Sequence, residues 1–321
     1  MGTGALGHLA ISRQNSFGTA TGSWFFAPFV SESLVHAIDL IAKEGIRASL
    51  VEPGVLQGLD RAEGDIVLEP HPLEIGHFLR GVFGQASSSV LGSVAALNNY
   101  THTFDLRLAD FDSKTPLPPY TLEIYRSVEE AFQCADTIFP RIELLVENNA
   151  LVRATVAALT RTVSLQAKQT ATYRQSDEWS WAVASVSIGG AAVDVVESLT
   201  IAVENPSEGI GVLNASRRWA RFGRTGFPNV RVSGRIDLAD LNEYDVMVAG
   251  TERRLLLHLA PLVSSGPYLT VDIPSFRYEG FPVQVGGPGR VTVDFTGRGV
   301  LNVGSNNAIR LTLVNTVANY Q

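Results

Sequence analysis

Alternation of apolar and polar residues with a period of two is the feature that most narrows what this chain can fold into. Ile66-Val67-Leu68, Tyr120-Thr121-Leu122-Glu123-Ile124, Leu269-Thr270-Val271-Asp272-Ile273, Val291-Thr292-Val293-Asp294-Phe295 and Arg310-Leu311-Thr312-Leu313-Val314 all follow it. On an extended backbone this pattern puts the apolar side chains on one face, which is the signature of a half-buried strand. The 29 glycines and 15 prolines punctuate these runs at turn-like intervals. Helical periodicity is confined to two places. Pro72 opens one candidate, whose apolar stripe is Leu73, Ile75, Phe78, Leu79 and Val82 and whose end is Gly84. The other runs from Leu241 to Ala249 and stops at Gly250, and a short helical turn is expected around Glu129–Phe132. The pattern predicts a mainly β protein with one short α-helix in each half.

The two halves also repeat each other. Glu32-Ser33-Leu34 is matched by Glu197-Ser198-Leu199, and Gly64-Asp65-Ile66-Val67-Leu68 by Gly234-Arg235-Ile236-Asp237-Leu238. Pro119-Tyr120-Thr121-Leu122-Glu123-Ile124 is matched by Pro267-Tyr268-Leu269-Thr270-Val271-Asp272-Ile273, and Arg153-Ala154-Thr155-Val156 by Arg290-Val291-Thr292-Val293. Four landmarks in one order predict a tandem duplication of a β-rich module. The boundary falls near the polar stretch Gln166–Glu178, giving modules 1–170, with an N-terminal arm, and 171–321.

Composition removes several classes of function. Hydrophobic residues are 45% of the chain and charged ones 18%, enough to build a packed core and incompatible with a disordered chain. No apolar run approaches the ~18 residues of a membrane span, and no secretory signal pattern opens the chain. Net charge is −7, with 12 basic against 18 acidic residues in 1–170 and 13 against 14 in 171–321. A nucleic-acid grip draws its affinity from a basic surface that releases counterions, and no basic stripe is present. Only Lys43, Lys114 and Lys168 are lysine, so 22 of the 25 basic residues are arginine, a side chain suited to forked pairs at interfaces.

Local motifs for chemistry are present but incomplete. Gly2-Thr3-Gly4-Ala5-Leu6-Gly7 spells a dinucleotide fingerprint without the preceding strand that would aim it. His71, Glu74 and His77 share one short helical face, but zinc needs a fuller ligand set, and a solvated face is the expectation. Cys134 is the single cysteine, which excludes an internal disulfide, and it lacks a nucleophile signature. Asp110 and Asp112 matter for glycoside hydrolysis only if two carboxylates prove suitably spaced in a cleft. The Trp24-Phe25-Phe26 cluster with Phe29 reads as part of a core. No catalytic residue, cofactor or metal is expected.

Phe17-Gly18-Thr19-Ala20, Pro28, Ser31-Glu32-Ser33-Leu34, Gly64-Asp65-Ile66, Pro72 and Ile75-Gly76 through Phe83-Gly84 carry a likeness to a known family. It continues through Phe139-Pro140-Arg141-Ile142-Glu143-Leu144, the Val183–Thr200 stretch up to Asn205, Val232-Ser233-Gly234, Tyr244 and the closing strands. In these residues the chain resembles the tail tube proteins of long non-contractile-tailed bacteriophages, over nearly its whole length from about residue 15. The resemblance implies tail-tube-type β-sandwich or β-barrel modules carrying a helix, which close into six-fold rings. Stacked rings form a hollow tube around a tape measure protein, between tail terminator and tail-tip proteins, and double-stranded DNA later passes through the lumen. It implies a virion tail component assembled in the bacterial host cytoplasm, with no enzymatic activity. A module present twice per chain gives trimeric rings with pseudo-six-fold symmetry.

Lumen or inter-subunit strands are expected to back polar inner faces with apolar residues, and Tyr120, Leu122, Ile124, Leu269, Val271, Ile273, Val291, Val293 and Phe295 fit that rule. Glu52–Glu63 and Ser87–Asn99 lack regular pattern and are expected to be loops or inter-ring arms, with Val90, Leu91 and Val94 as the contact residues. The alternatives are a type VI secretion-like tube or other β-rich virion component, a β-sandwich glycosidase, and a carbohydrate-binding module with an aromatic platform.

Overall fold

The computed structural model describes residues 3–94, 97–260 and 266–320, with side chains outside 92–98. In the first half the alternating segments form β1 (His8–Ser16), β2 (Val35–Ala42), β3 (Val55–Leu68), β4 (Ser87–Val94), β5 (Leu97–Asp105), β6 (Tyr120–Tyr125), β7 (Ala131–Glu147) and β8 (Arg153–Gln166). Helix α1 (Ile75–Phe83) lies between β3 and β4. The second half holds β9 (Ala184–Ile188), β10 (Val196–Glu204), β11 (Asn229–Asp237), helix α2 (Asn242–Ala249), β12 (Arg253–Leu259), β13 (Tyr268–Gly280), β14 (Thr292–Gly299) and β15 (Arg310–Asn315). Shorter strands complete the fold, among them Phe25–Ala27 on β1 and a separate ribbon of Ser207–Ile210 with Arg221–Arg224.

Every pairing among these strands is antiparallel. Neighbours in the first half run β2–β3–β8–β7–β6–β1. Those in the second run β10–β11–β14–β13–β12–β9. In chain order each series begins with the strand that ends the spatial order, and a helix follows the third strand in both. The longest strand of each series, β7 or β13, breaks register on both edges, with irregularities at Cys134/Thr137 and Ile138/Arg141 in β7. In β13 they fall at Ile273/Phe276, opposite Leu255/Arg253, and at Tyr278/Gly280. Three of the four sequence landmarks fall on or beside corresponding strands. The fourth does not: Pro119–Ile124 leads into β6 and Pro267–Ile273 into β13, which stand at different places in the two orders.

Two joints weave the halves together. β7 pairs with β10, and the β4–β5 hairpin reaches β13 through β15. Among the described residues the pairings never return to their starting strand, so the sheet is open and branched rather than a closed barrel. One continuous apolar core runs through both halves, from Leu9, Ile66 and Phe139 to Leu257, Val271 and Phe295.

Both helices end where the sequence places their ends. Gly84 and Gly250 take φ of 82° and 63°, the left-handed conformation in which glycine avoids a Cβ penalty. The apolar stripe of α1 lies on β7, with the rings of Phe78 and Phe139 5.4 Å apart. α2 buries only Val246 and is tied to β13 by Tyr278 Oη, which donates to Glu243 Oε2 at 2.9 Å.

Three expectations need correction. Residues 55–63 are not a loop but the first part of β3, paired with β2. Residues 87–94 and 97–99 lie on the paired strands β4 and β5, and Ala131–Phe132 begins β7 rather than a helical turn. Val55, Leu56, Val90 and Leu91 are exposed, whereas Gly58, Asp60 and Ala62 of β3 are buried. Alternation is read from large apolar residues, so a buried face carried by Gly58, Asp60 and Ala62 leaves no such trace.

Candidate assembly surfaces

The β7–β10 joint is built from two alternating sequences meeting edge to edge. Arg141 through Glu147 pair in register with Glu204 down to Ser198. Ile142, Leu144 and Val146 face the core opposite Val203, Ile201 and Leu199, and all six are buried. Direct cross-strand apolar pairs of this kind are the stabilising unit of a sheet. The joint turns the run β3–β8–β7–β10–β11–β14 into one sheet that spans both halves.

The other face of that sheet is polar. Register aligns Glu143, Ala202, Arg231 and Arg298 in one row and Glu147, Ser198, Arg235 and Asp294 in another. Several of its charges are countered locally: Arg235 grips Asp294 through two bonds of 2.7 and 3.0 Å, and Arg141 reaches Asp65 at 3.4 Å. The Arg235 guanidinium holds the Asp294 carboxyl below the usual carboxylate range. A face of paired, mixed charge presents no uniform basic surface to a polyanion.

The expected lumen strands fall in different settings. Tyr120, Leu122, Ile124, Leu269, Val271, Ile273, Val293 and Phe295 are all buried in the core, and Val291 is half-buried just before β14. Between them, Thr121 and Glu123 of β6 are also buried, with Glu123 held by His8 at 2.8 Å, so β6 has both faces covered. Asp272 on β13 is half-exposed, and Asp294 and Thr296 on β14 are exposed. Val90 and Leu91 are 64% and 56% exposed on β4, while the Val94 side chain lies outside the described residues.

An exposed feature without a counterpart in the sequence reading is β2. Val35, Leu40 and Ile41 are 62%, 66% and 57% exposed, and one edge of the strand has no strand partner among the described residues. The signal was present in Ile38-Asp39-Leu40-Ile41, where apolar residues fall on both faces of an extended chain.

The expected solvated face of α1 is instead closed. His71, Glu74 and His77 are buried beneath Tyr320 and the segment bearing Arg174. Burial pushes the Glu74 carboxyl up to about 7, against the opposing pull of Arg174 at 3.5 Å. It also holds His77 well below the usual imidazole value, and neither ring nitrogen has a hydrogen-bond partner. Among the described residues no group of three His, Cys, Asp or Glu side chains is placed to hold a metal. Burial pushes the Cys134 thiol up to about 12.

Asp110 pairs with Arg224, and Asp112 accepts from the backbone of Lys114 and Thr115, so both carboxylates are engaged in local structure. Phe26 joins the core as expected, and Gly2 of the glycine motif lies outside the described residues. A cavity of about 500 Å³ lined by Leu106, Leu108, Phe227 and Leu301 has no carboxylate in its wall. A larger cavity of about 710 Å³ beside α2 is lined by Asp237, Asp240, Glu243 and Asp245, of which Glu243 pairs with Arg253 and Asp237 with Arg290. The long exposed apolar stretches lie on edges and ribbons of the sheet.

Comparison with known proteins agrees with that emphasis. No curated protein matches the chain. The family model described as phage tail tube protein matches residues 4–299, and the chain belongs to that family, as a structural component of a virion tail.

Proposed function

We propose that the chain is a duplicated tail tube subunit, with modules 1–170 and 171–321, and that three chains close into a ring of pseudo-six-fold symmetry. Rings stack into a hollow tube that encloses a tape measure protein during assembly, ends at tail terminator and tail-tip proteins, and later conducts double-stranded DNA during ejection. The observation that carries this reading is the β7–β10 joint. It links two series of strands with the same spatial and chain order, as neighbouring subunits of a ring would be linked. The polar face of the sheet spanning β3 to β14 is assigned to the lumen, with Val293 and Phe295 backing it from the core. Locally paired charges there let a polyanion slide without sticking points.

Heterologous contacts that close on rotation give rings, so one joint geometry repeated six times suffices. β4, with Val90 and Leu91 exposed, is assigned to contacts between stacked rings. No enzymatic role is assigned, in keeping with the family. Negative-stain electron microscopy of the concentrated purified protein is the test. Striated tubes are expected, and a chain that remains monomeric at high concentration overturns the reading. Deleting Ser87–Asn99 is expected to leave rings and abolish long tubes. Tubes of normal length from that variant contradict the inter-ring assignment.

A further inference from the structure

β7 and β13 occupy the same place in the two strand orders, yet only one of them has its edge completed. Along β7, β6 covers the edge as far as Thr137, and beyond the bulge β10 covers it from Arg141 to Glu147. Along β13, β12 covers the corresponding edge as far as Phe276. No strand follows on that edge among the described residues, although the chain continues past Gly280 through Phe281, Val283 and Val285. Val283 is 37% and Val285 76% exposed. At the end of the first series, β2 stands where β10 stands in the second, with one edge on β3 and the other without a strand partner among the described residues. Open strand edges beside exposed apolar side chains are templates for pairing with another chain.

We infer that β2 of one copy pairs antiparallel with the β13 edge of the next, from the end of β13 at residues 279–280 onward through residues 281–286, reproducing the β7–β10 joint between chains. The inference rests on the ring reading and names the surfaces that close the ring.

The register follows from landmarks already described. Laying Glu32-Ser33-Leu34 on Glu197-Ser198-Leu199 carries Val203 onto Ile38. Extending the β13–β14 ladder beyond Gly280↔Thr296 brings Val283 opposite Val293, as Ile142 lies opposite Val156. Ile38 and Val283 of neighbouring chains thus become the counterpart of the buried pair Val203 and Ile142. Pro282 withholds one backbone donor, so one rung of the ladder is missing at that position.

The test uses the full chain carrying Ile38→Cys and Val283→Cys together, assembled and then oxidised or treated with a short bismaleimide. The expected result is a covalent product of three chains on a denaturing gel. Either single-cysteine variant should remain at one chain, since the native Cys134 thiol is buried. A second variant, Ile38→Lys, puts a charge into the joint without disturbing the isolated chain's core. It should retain the wild-type circular dichroism spectrum and lower the number of tubes at least tenfold. Tubes without the three-chain product, or normal polymerisation of Ile38→Lys, overturn the inference and leave the tube reading standing. A wild-type chain that forms no rings at all overturns both.

Discussion

Tyr320, Gly76, Glu74 and His77 show how single positions hold α1 in place. Tyr320 Oη donates to Leu73 O at 2.8 Å and accepts from Asn315 Nδ2 at 2.7 Å, so the end of the chain is clamped on the start of the helix. A Cβ at Gly76 would stand 2.3 Å from the Tyr320 ring, which is fully buried and has nowhere to go. Gly76→Ala is expected to cost about 1–3 kcal/mol in chemical denaturation, the usual range for overpacking. Glu74 carries a pH dependence whose sign is fixed by its raised value of about 7 in the folded chain, against 4.5 when free. The neutral form is favoured on folding, so the full benefit is present below about pH 4.5 and lost as pH rises through about 7. Glu74→Gln should therefore match wild type near pH 4 and exceed it at pH 8 by on the order of 2 kcal/mol in thermal or urea melts. His77→Phe removes two orphan nitrogens from an aromatic pocket formed with Phe25 and Tyr320, and is expected to stabilise by about 1 kcal/mol. A loss of stability in that variant would show that the imidazole nitrogens are satisfied in solution.

Among the elements, the covered and open edges separate stability from assembly. Leu144→Ala, inside the β7–β10 joint, opens a cavity in the core and should cost about 2–5 kcal/mol in equilibrium unfolding. Leu40→Ala, on the exposed β2, should change the unfolding of the isolated chain by under about 0.5 kcal/mol. What the alternation made legible were the strands themselves: Tyr120–Ile124, Leu269–Ile273 and the β14 segment lie where it put them, although β6 is buried on its polar face as well as its apolar one. Gly84 and Gly250 marked both helix ends because the left-handed cap leaves a residue-specific trace. The first part of β3 was hidden because its buried face is carried by Gly58, Asp60 and Ala62 rather than by large apolar residues, and β2 and the start of β4 because their apolar residues are exposed. The closed face of α1 was hidden because its cover comes from Tyr320 and Arg174, far along the chain, and no local pattern encodes a contact of that span.

For the whole molecule, repetition of landmarks was readable, but the joint was not. Sequence similarity between halves is what the proposed two-module division rests on, while edge-to-edge pairing of β7 with β10 depends on which strand edges remain free. One of the four landmark pairs, Pro119–Ile124 with Pro267–Ile273, joined strands at different places because alternating strands resemble one another. The central claim is that three chains, each supplying two modules, make one ring. Reference-free class averages of tubes or rings viewed end-on, combined with mass per ring, test it most directly. The account predicts six similar lobes and the mass of three chains in each layer. Six complete chains per layer, giving twelve modules, would contradict it.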